Sequence, residues 1–305
     1  MLPEHGKSLR KQANSIGIGL LFYVGLSYAI MEATLHMPDC IAHNDGVACL
    51  MAYGFSGVAL YFYARHFGEP AAEGEAAKIC KAGVHMTLLA FLGIACVIQA
   101  IQVMSYGLDY LLELLVNPFG FTAEDSAEEA AESGDGIAMF IYTGIGAPVI
   151  EELIYRGYVL RRLQRYGNLF AIMVSAAAFG LMHENIPQAM FAFMIGITLG
   201  YVAVVYSVKW AIVFHILNNL VMGDLLYRIT DVLDTETQNI ILNSLDVVGC
   251  IGAIIALAVG RRAIASFIRK GHACEGVYRN MLPAFWLMLF LVIELAVGIS
   301  KITPL

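Results

Sequence analysis

Long apolar stretches separated by short polar segments run through the whole chain. Several exceed the ~18 apolar residues that mark a transmembrane helix. Nine stretches are candidate spans, at about 15–37, 46–64, 84–104, 137–158, 168–184, 187–206, 209–227, 244–260 and 283–300. The first is too long for the apolar core of a signal peptide and has no clear cleavage site, so we expect it to be retained. The pattern predicts an all-α fold, a polytopic transmembrane helix bundle of eight to nine spans in a single membrane domain, 1–305.

The composition agrees with an integral membrane protein. Hydrophobic residues make up 59% of the chain and charged residues 14%, whereas charged residues average about 25% in soluble domains. The sequence has no basic patch with interleaved aromatic residues, which argues against nucleic-acid binding. We therefore expect the lipid bilayer as a partner and no nucleic acid.

Lys and Arg residues predict the orientation, because cytoplasmic loops carry an excess of them. If the N-terminus is cytoplasmic, only Arg228 and Lys301 of the 18 basic residues fall outside the cytoplasmic segments. We expect this orientation, in the inner (cell) membrane of a bacterium.

One outer segment, 105–136, contains eight Asp and Glu residues and no Lys or Arg. It predicts an acidic extracytoplasmic segment. Leucines at positions 108, 111, 112 and 115 have the i, i+3, i+4, i+7 spacing of an amphipathic helix, which we expect at the outer interface.

Two adjacent carboxylates and a guanidinium, Glu151, Glu152 and Arg156, close the apolar run that begins near Ile137. Each charge costs roughly 2.5–3.5 kcal/mol at the centre of a bilayer, so such groups pair, face a wet cavity or do chemistry. Glu152 and Arg156 have the i, i+4 spacing of a helical ion pair. Glu151 points ~100° away and stays available as a general base. The alternative is a set of ordinary charges at a helix end.

Two later apolar stretches contain possible partners of these acids. Phe179 and His183 share one helix face, where Gly180 lets another helix approach closely, and His215 and Asn219 share another. A single histidine in an apolar helix is more often structural, but two of them, an asparagine and a membrane-embedded Glu pair together favour a catalytic site.

Residue chemistry favours water activated by Glu and His, with His and Asn stabilising a tetrahedral intermediate. No serine or cysteine has a helical His or Asp beside it that would make it a nucleophile. A zinc site is the alternative, because Glu, His and His are also zinc ligands. The H-E-x-x-H motif is missing, since Pro187 interrupts the helix after His183 and Glu184. We expect no cofactor.

The predicted spans leave one conflict of depth. With straight helices, Glu151 and His215 lie near the cytoplasmic ends of their spans. His183 lies ~22 Å along its own span and therefore nearer the outer face.

The three motifs together resemble the signature of the CPBP intramembrane endopeptidases. They are Glu-Glu-x-x-x-Arg at 151–156, Phe-x-x-x-His at 179–183 and His-x-x-x-Asn at 215–219. This group contains CAAX prenyl proteases, bacteriocin-processing enzymes and related Abi proteins. The resemblance implies a conical intramembrane cavity, formed by catalytic core spans at 137–227, and hydrolysis of a peptide bond in a CAAX-like or leader-peptide substrate in or at the membrane.

The resemblance also implies a role for each motif residue. Glu151 and His183 activate the water, His215 and Asn219 form the oxyanion site, and Glu152 and Arg156 support the geometry. It leaves zinc open, because the family has been discussed both as metalloproteases and as glutamate-dependent proteases. Two other functions remain, a proton-coupled membrane transporter and a non-catalytic immunity or scaffold protein.

Overall fold

The computed structural model describes residues 3–68, 83–123 and 136–305. Lys78, Lys81 and residues 124–135 of the predicted acidic segment lie outside the described residues. The helices are α1 Pro3–Thr34, α2 Asp39–Ala42, α3 Asp45–His66, α4 Leu88–Val116, α5 Ile137–Tyr166, α6 Asn168–Leu181, α7 Ile186–Val205, α8 Val208–Ile216, α9 Leu226–Thr230, α10 Thr235–Lys270, α11 Val277–Met281 and α12 Phe285–Ser300. Strands β1, Phe121–Thr122, and β2, Thr303–Pro304, pair antiparallel. The all-α prediction is confirmed.

Six helices are long and apolar enough to cross a membrane, judged by length and composition within the described ranges. They are α1, α3, α4, α5, α7 and α10, and the shorter α6 and α12 are also apolar. The predicted stretch 209–227 is not one regular helix, because α8 ends at Ile216 and a π-helical segment, Leu217–Leu225, follows. The polytopic bundle is therefore confirmed, although its boundaries differ from the predicted spans.

The predicted separate helix after residue 104 is instead the end of α4, which runs without a break to Val116. A single 3-10 turn, Asn117–Phe119, follows and contains Pro118. The Glu113 carboxylate fixes the loop that follows, because it accepts hydrogen bonds from the Thr122 hydroxyl at 3.0 Å and from the Ala123 amide at 2.7 Å.

Two buried apolar cores hold the described helices together. Helices α1, α5, α6, α11 and α12 contribute to the first core. Helices α4, α7 and α8 contribute most of the second. Helix α7 belongs to both, since Ala192 packs in the first core and Ile195 in the second. Side chains of α5, α6 and α8 therefore meet where the two cores join.

Helix α5 alternates between α-helical and π-helical hydrogen bonding. Its π-helical turns are Tyr142–Gly146 and Leu153–Leu160, and the α-helical turn Ala147–Glu152 between them contains both carboxylates. The Ala147 amide donates to the Tyr142 carbonyl, five residues back. Pro148 follows and has no amide hydrogen, which explains why regular α-helical bonding fails at this point. Single π-helical turns are frequent at functional sites.

The conflict of depth disappears because α5 is longer than its predicted span. It continues to Tyr166, and α6 begins at Asn168 after a corner at Gly167, where φ is 130°. Glu151 lies 15 residues before Tyr166, and His183 lies 15 residues after Asn168. Both are therefore about 20 Å from the corner at ~1.5 Å per residue. The predicted end of α5 near residue 158 was wrong.

Candidate active site

Glu152 and Arg156 form the ion pair that their spacing predicts. Nη1 of Arg156 lies 2.9 Å from Oε1 of Glu152, and both side chains are fully buried. Nη2 of Arg156 donates to the Gly196 carbonyl on α7 at 3.3 Å. The guanidinium carbon also lies 4.3 Å from the centre of the Phe179 ring, a cation–π contact. The pair thereby connects α5 with α6 and α7.

His215, on α8, lies between the two carboxylates of α5. Its Nδ1 is 3.0 Å from Oε1 of Glu152, and its Nε2 is 3.7 Å from Oε2 of Glu151. The shorter contact is a hydrogen bond in which Nδ1–H donates to the carboxylate. The longer one exceeds hydrogen-bond distance. Glu152 therefore fixes the orientation of the His215 ring, whereas Glu151 is held less tightly.

His183 lies in the turn that follows α6. Its Nδ1 is 2.9 Å from the Phe179 carbonyl oxygen, which can only accept, so Nδ1 carries a proton. The Nε2 of a neutral His183 is then the proton acceptor. The next residue, Glu184, has φ 54° and accepts a hydrogen bond from the Tyr28 hydroxyl of α1. A positive φ at a glutamate is uncommon and typical of a constrained functional turn.

Phe179 connects these side chains through its ring. The centre of the ring is 5.1 Å from that of His183 and 5.6 Å from that of His215. It is 1% exposed. The predicted close approach at Gly180 is also present, since a Cβ there would lie 2.7 Å from the Ala189 carbonyl oxygen of α7. Phe179 thus fixes the positions of both histidines.

Asn219, in the π-helical segment after α8, belongs to a chain of side-chain amides. Its Nδ2 donates to the Thr143 carbonyl at 3.1 Å, and its Oδ1 accepts from Nδ2 of Asn218 at 2.9 Å. Oδ1 of Asn218 accepts in turn from Nε2 of Gln102, on α4, at 3.2 Å. Asn219 is therefore held by α5 on one side and, through Asn218, by α4 on the other.

A cavity of about 70 Å³ lies among these residues. A cavity needs about 10–15 Å³ to hold one water molecule, so this cavity has room for water. It is lined by Phe179, His183, Gln188, Phe191, Ala192, Ile195, His215, Asn218 and Asn219. Three of the six predicted site residues thus line one cavity. Glu151, Glu152 and Arg156 do not line it, but the two glutamates contact His215, which does.

The zinc alternative needs about three Glu or His ligands around one point. Within the described ranges, no three His, Cys, Asp or Glu side chains converge as metal ligands. Oε1 of Glu152 is already bonded by Arg156 and His215, and Nδ1 of His183 by a main-chain carbonyl.

Gln102, Asn218 and Thr143 were not predicted from the sequence. Gln102 lies inside an apolar stretch that also contains Gln99, and nothing in its spacing connects it with Asn219. Pro148 could have indicated a role for a main-chain carbonyl such as that of Thr143. A proline within a helical pattern leaves a main-chain carbonyl without its helical donor.

Comparison with known proteins gives a match for this part of the chain. Residues 133–221 match the family model described as type II CAAX prenyl endopeptidase Rce1-like. The matched segment includes all six predicted site residues and covers under a third of the chain. No curated protein and no solved structure matches. Residues 133–221 are thus similar to the Rce1-like type II CAAX prenyl endopeptidases, which supports the CPBP and CAAX protease family and a CAAX-type intramembrane endopeptidase.

Proposed function

We propose that this chain hydrolyses a peptide bond of a membrane-associated substrate, with a CAAX-like C-terminus or a leader peptide as the substrate class. One observation carries the proposal: His183, His215 and Asn219 line a single cavity, and Glu151 lies 3.7 Å from the Nε2 atom of His215. These groups come from α5, from the turn after α6, and from α8 with the π-helical segment that follows it. His183, His215 and Asn219 supply an acceptor and donors around a space of water size, and Glu151 supplies a base beside His215.

Glu151 and His183 activate the water molecule. Glu151 takes a proton from the water, and Nε2 of His183 accepts a hydrogen bond from the same molecule and orients it. The oxygen attacks the carbonyl carbon and forms a tetrahedral intermediate. When the C–N bond breaks, the leaving nitrogen takes the proton back from Glu151. A positioned general base contributes about 10²–10⁴-fold to the rate.

His215 and Asn219 stabilise the oxyanion of that intermediate. Nδ1–H of His215 is directed at Glu152, so His215 can donate to an oxyanion only when Nε2 is protonated as well. In this form the formal charges of Arg156, Glu152, His215 and Glu151 sum to zero. Donors of this kind contribute about 10²–10³-fold each.

Glu152 and Arg156 position the catalytic groups and do not contact the reacting atoms. Glu152 fixes the ring of His215, and Arg156 supplies the countercharge and stacks on Phe179. The mechanism needs no metal, because a protein side chain performs every step.

The location and orientation are part of the proposal. With the N-terminus in the cytoplasm of a bacterium, the corner at Gly167 lies at the cytoplasmic face. The cavity is then about 20 Å deep, inside a hydrocarbon core of ~30 Å.

The test uses the purified chain with a panel of fluorogenic peptides, including farnesylated CAAX-like peptides and leader-type peptides. We expect cleavage of at least one class, and a loss of about 10²–10⁴-fold in kcat in Glu151→Gln and His183→Ala. Glu236→Gln is the matched control, because Glu236 is exposed at the start of α10. Unchanged cleavage in Glu151→Gln would contradict the proposal. Proton flux that depends on Glu151, without hydrolysis, would indicate a transporter instead.

A further inference from the structure

The chain of amides that ends at Asn219 has a fixed direction. The Thr143 oxygen is a main-chain carbonyl and can only accept, so the end of the Asn219 amide that faces it is Nδ2. Oδ1 of Asn219 therefore points to Asn218 and accepts from it. Asn218 in turn presents its own Oδ1 to Nε2 of Gln102. Each of the two asparagine orientations follows from the previous bond, starting from one carbonyl.

That carbonyl is free because of Pro148. In an α-helix the Thr143 oxygen would accept from the amide of Ala147, but this amide donates to Tyr142 instead. In a π-helical turn the donor would be residue 148, which is a proline and has no amide hydrogen. The carbonyl of Thr143 therefore lacks both helical donors, and Nδ2 of Asn219 bonds to it at 3.1 Å.

The arrangement leaves one hydrogen of the Asn219 amide for the cavity. Nδ2 has two hydrogens, of which one is bonded to Thr143, and Asn219 lines the cavity beside His183 and His215. A flipped amide would present Oδ1 to the cavity in place of an N–H. An oxygen at that place would repel a developing oxyanion.

We propose that Gln102, Asn218 and Pro148 are positioning residues, which hold the Asn219 amide with its second N–H directed into the cavity. The proposal rests on the proposed function, because it gives Asn219 its role as an oxyanion donor. Gln102 and Asn218 fix the amide from one side. Pro148 fixes it from the other side by freeing the Thr143 carbonyl.

Gln102 extends the site beyond the segment that matches the family model. It lies on α4, whereas the match begins at residue 133. Near Gln102, the α4 residues Ile98 and Ile101 are buried in the same core as Phe214 of α8. The contact between α4 and α8 therefore places the Gln102 amide against Asn218.

A double-mutant cycle in kcat tests whether Gln102 acts through Asn219. Gln102→Leu removes the first donor of the chain, and we expect kcat to fall about tenfold with KM within about twofold, since misplacement affects the transition state. In the Asn219→Ala background the same change has no further effect. The matched control is Gln99→Leu on the same helix, which removes an amide bonded to Asp246 at 2.7 Å. Its effect is additive with Asn219→Ala. Additive behaviour of Gln102→Leu overturns the proposal.

Pro148→Ala separates positioning from simple support of the fold. Alanine restores the amide hydrogen at residue 148, which competes with Asn219 for the Thr143 carbonyl. We expect kcat to fall about tenfold while the unfolding temperature stays the same or rises, because proline is unfavourable inside a helix. A lower unfolding temperature together with lower kcat indicates a structural role and overturns this part of the proposal.

A second cycle, in unfolding temperature, does not depend on activity. If the amide chain exists, the loss in the Gln102→Leu/Asn219→Ala double variant is smaller than the sum of the two single losses. An additive loss in unfolding temperature would contradict the hydrogen-bonded chain of amides from Gln102 to Asn219. If Asn219→Ala retains wild-type kcat while these losses are non-additive, the oxyanion role in the proposed function fails and the positioning proposal fails with it, although the hydrogen bonds stand.

Discussion

Nη1 of Arg156 lies 2.9 Å from Oε1 of Glu152, with both side chains fully buried. Removing one partner of such a pair leaves an uncompensated charge in a medium of low dielectric constant, which costs about 3–5 kcal/mol.

We therefore expect Glu152→Gln to lower the unfolding temperature strongly. The double variant Glu152→Gln/Arg156→Met, which removes both charges, should be more stable than Glu152→Gln alone. Thermal unfolding in one detergent measures both, with exposed Glu236→Gln as the control. Equal stability of Glu152→Gln and the wild type would show that the ion pair does not stabilise the fold.

The two nitrogens of His183 have separable roles, and substitution by asparagine distinguishes them. The amide nitrogen of asparagine can take the place of Nδ1 and keep the bond to the Phe179 carbonyl, but nothing replaces Nε2. We expect His183→Asn to lose about 10²–10⁴-fold in kcat while its unfolding temperature stays near the wild-type value. His183→Ala should lower both kcat and the unfolding temperature, because alanine replaces neither nitrogen. Activity retained in His183→Asn would exclude Nε2 as an acceptor in the reaction.

The cavity can be filled from α7. Ala192 is 4% exposed and lines the cavity, so Ala192→Leu places three more carbon atoms in its space of about 70 Å³. We expect kcat/KM to fall about tenfold or more, with the unfolding temperature unchanged or higher, since filling a cavity is often stabilising. Ala263→Leu, at an exposed position of α10, is the control. Normal kinetics in Ala192→Leu would mean that the reaction occurs elsewhere.

The metal-free mechanism makes a direct prediction about chelators. EDTA and 1,10-phenanthroline should leave kcat within about twofold of its untreated value, because Glu151, His183, His215 and Asn219 supply all of the proposed groups. Added zinc should give no activation. A loss of activity on chelation that zinc alone restores would favour the zinc alternative.

The local contacts within α5 could be predicted from sequence. The i, i+4 spacing of Glu152 and Arg156 is enough to predict an ion pair, because helical geometry places such residues together. The same spacing put Phe179 and His183 on one face. These predictions depend only on neighbours along one helix.

Contacts between helices could not be predicted in the same way. The packing of α4, α5 and α8 decides which carboxylate His215 contacts. The same packing decides whether Gln102 reaches Asn218. Hydropathy also misplaced the end of α5, since Arg161 and Arg162 looked like a membrane boundary. Both side chains are buried and donate to main-chain carbonyls, of Ala203 and Ala64 respectively.

The π-helical turn at Tyr142–Gly146 also sets the rotation of the two halves of α5 about their common axis. A π-helical turn contains one residue more than an α-helical turn, and each residue of an α-helix accounts for ~100° of rotation. A chain with one residue deleted from this turn could form α-helical hydrogen bonds there instead. That chain would present Glu151 about a quarter-turn away from His215, so a single deletion in the turn that precedes Glu151 would separate the two side chains.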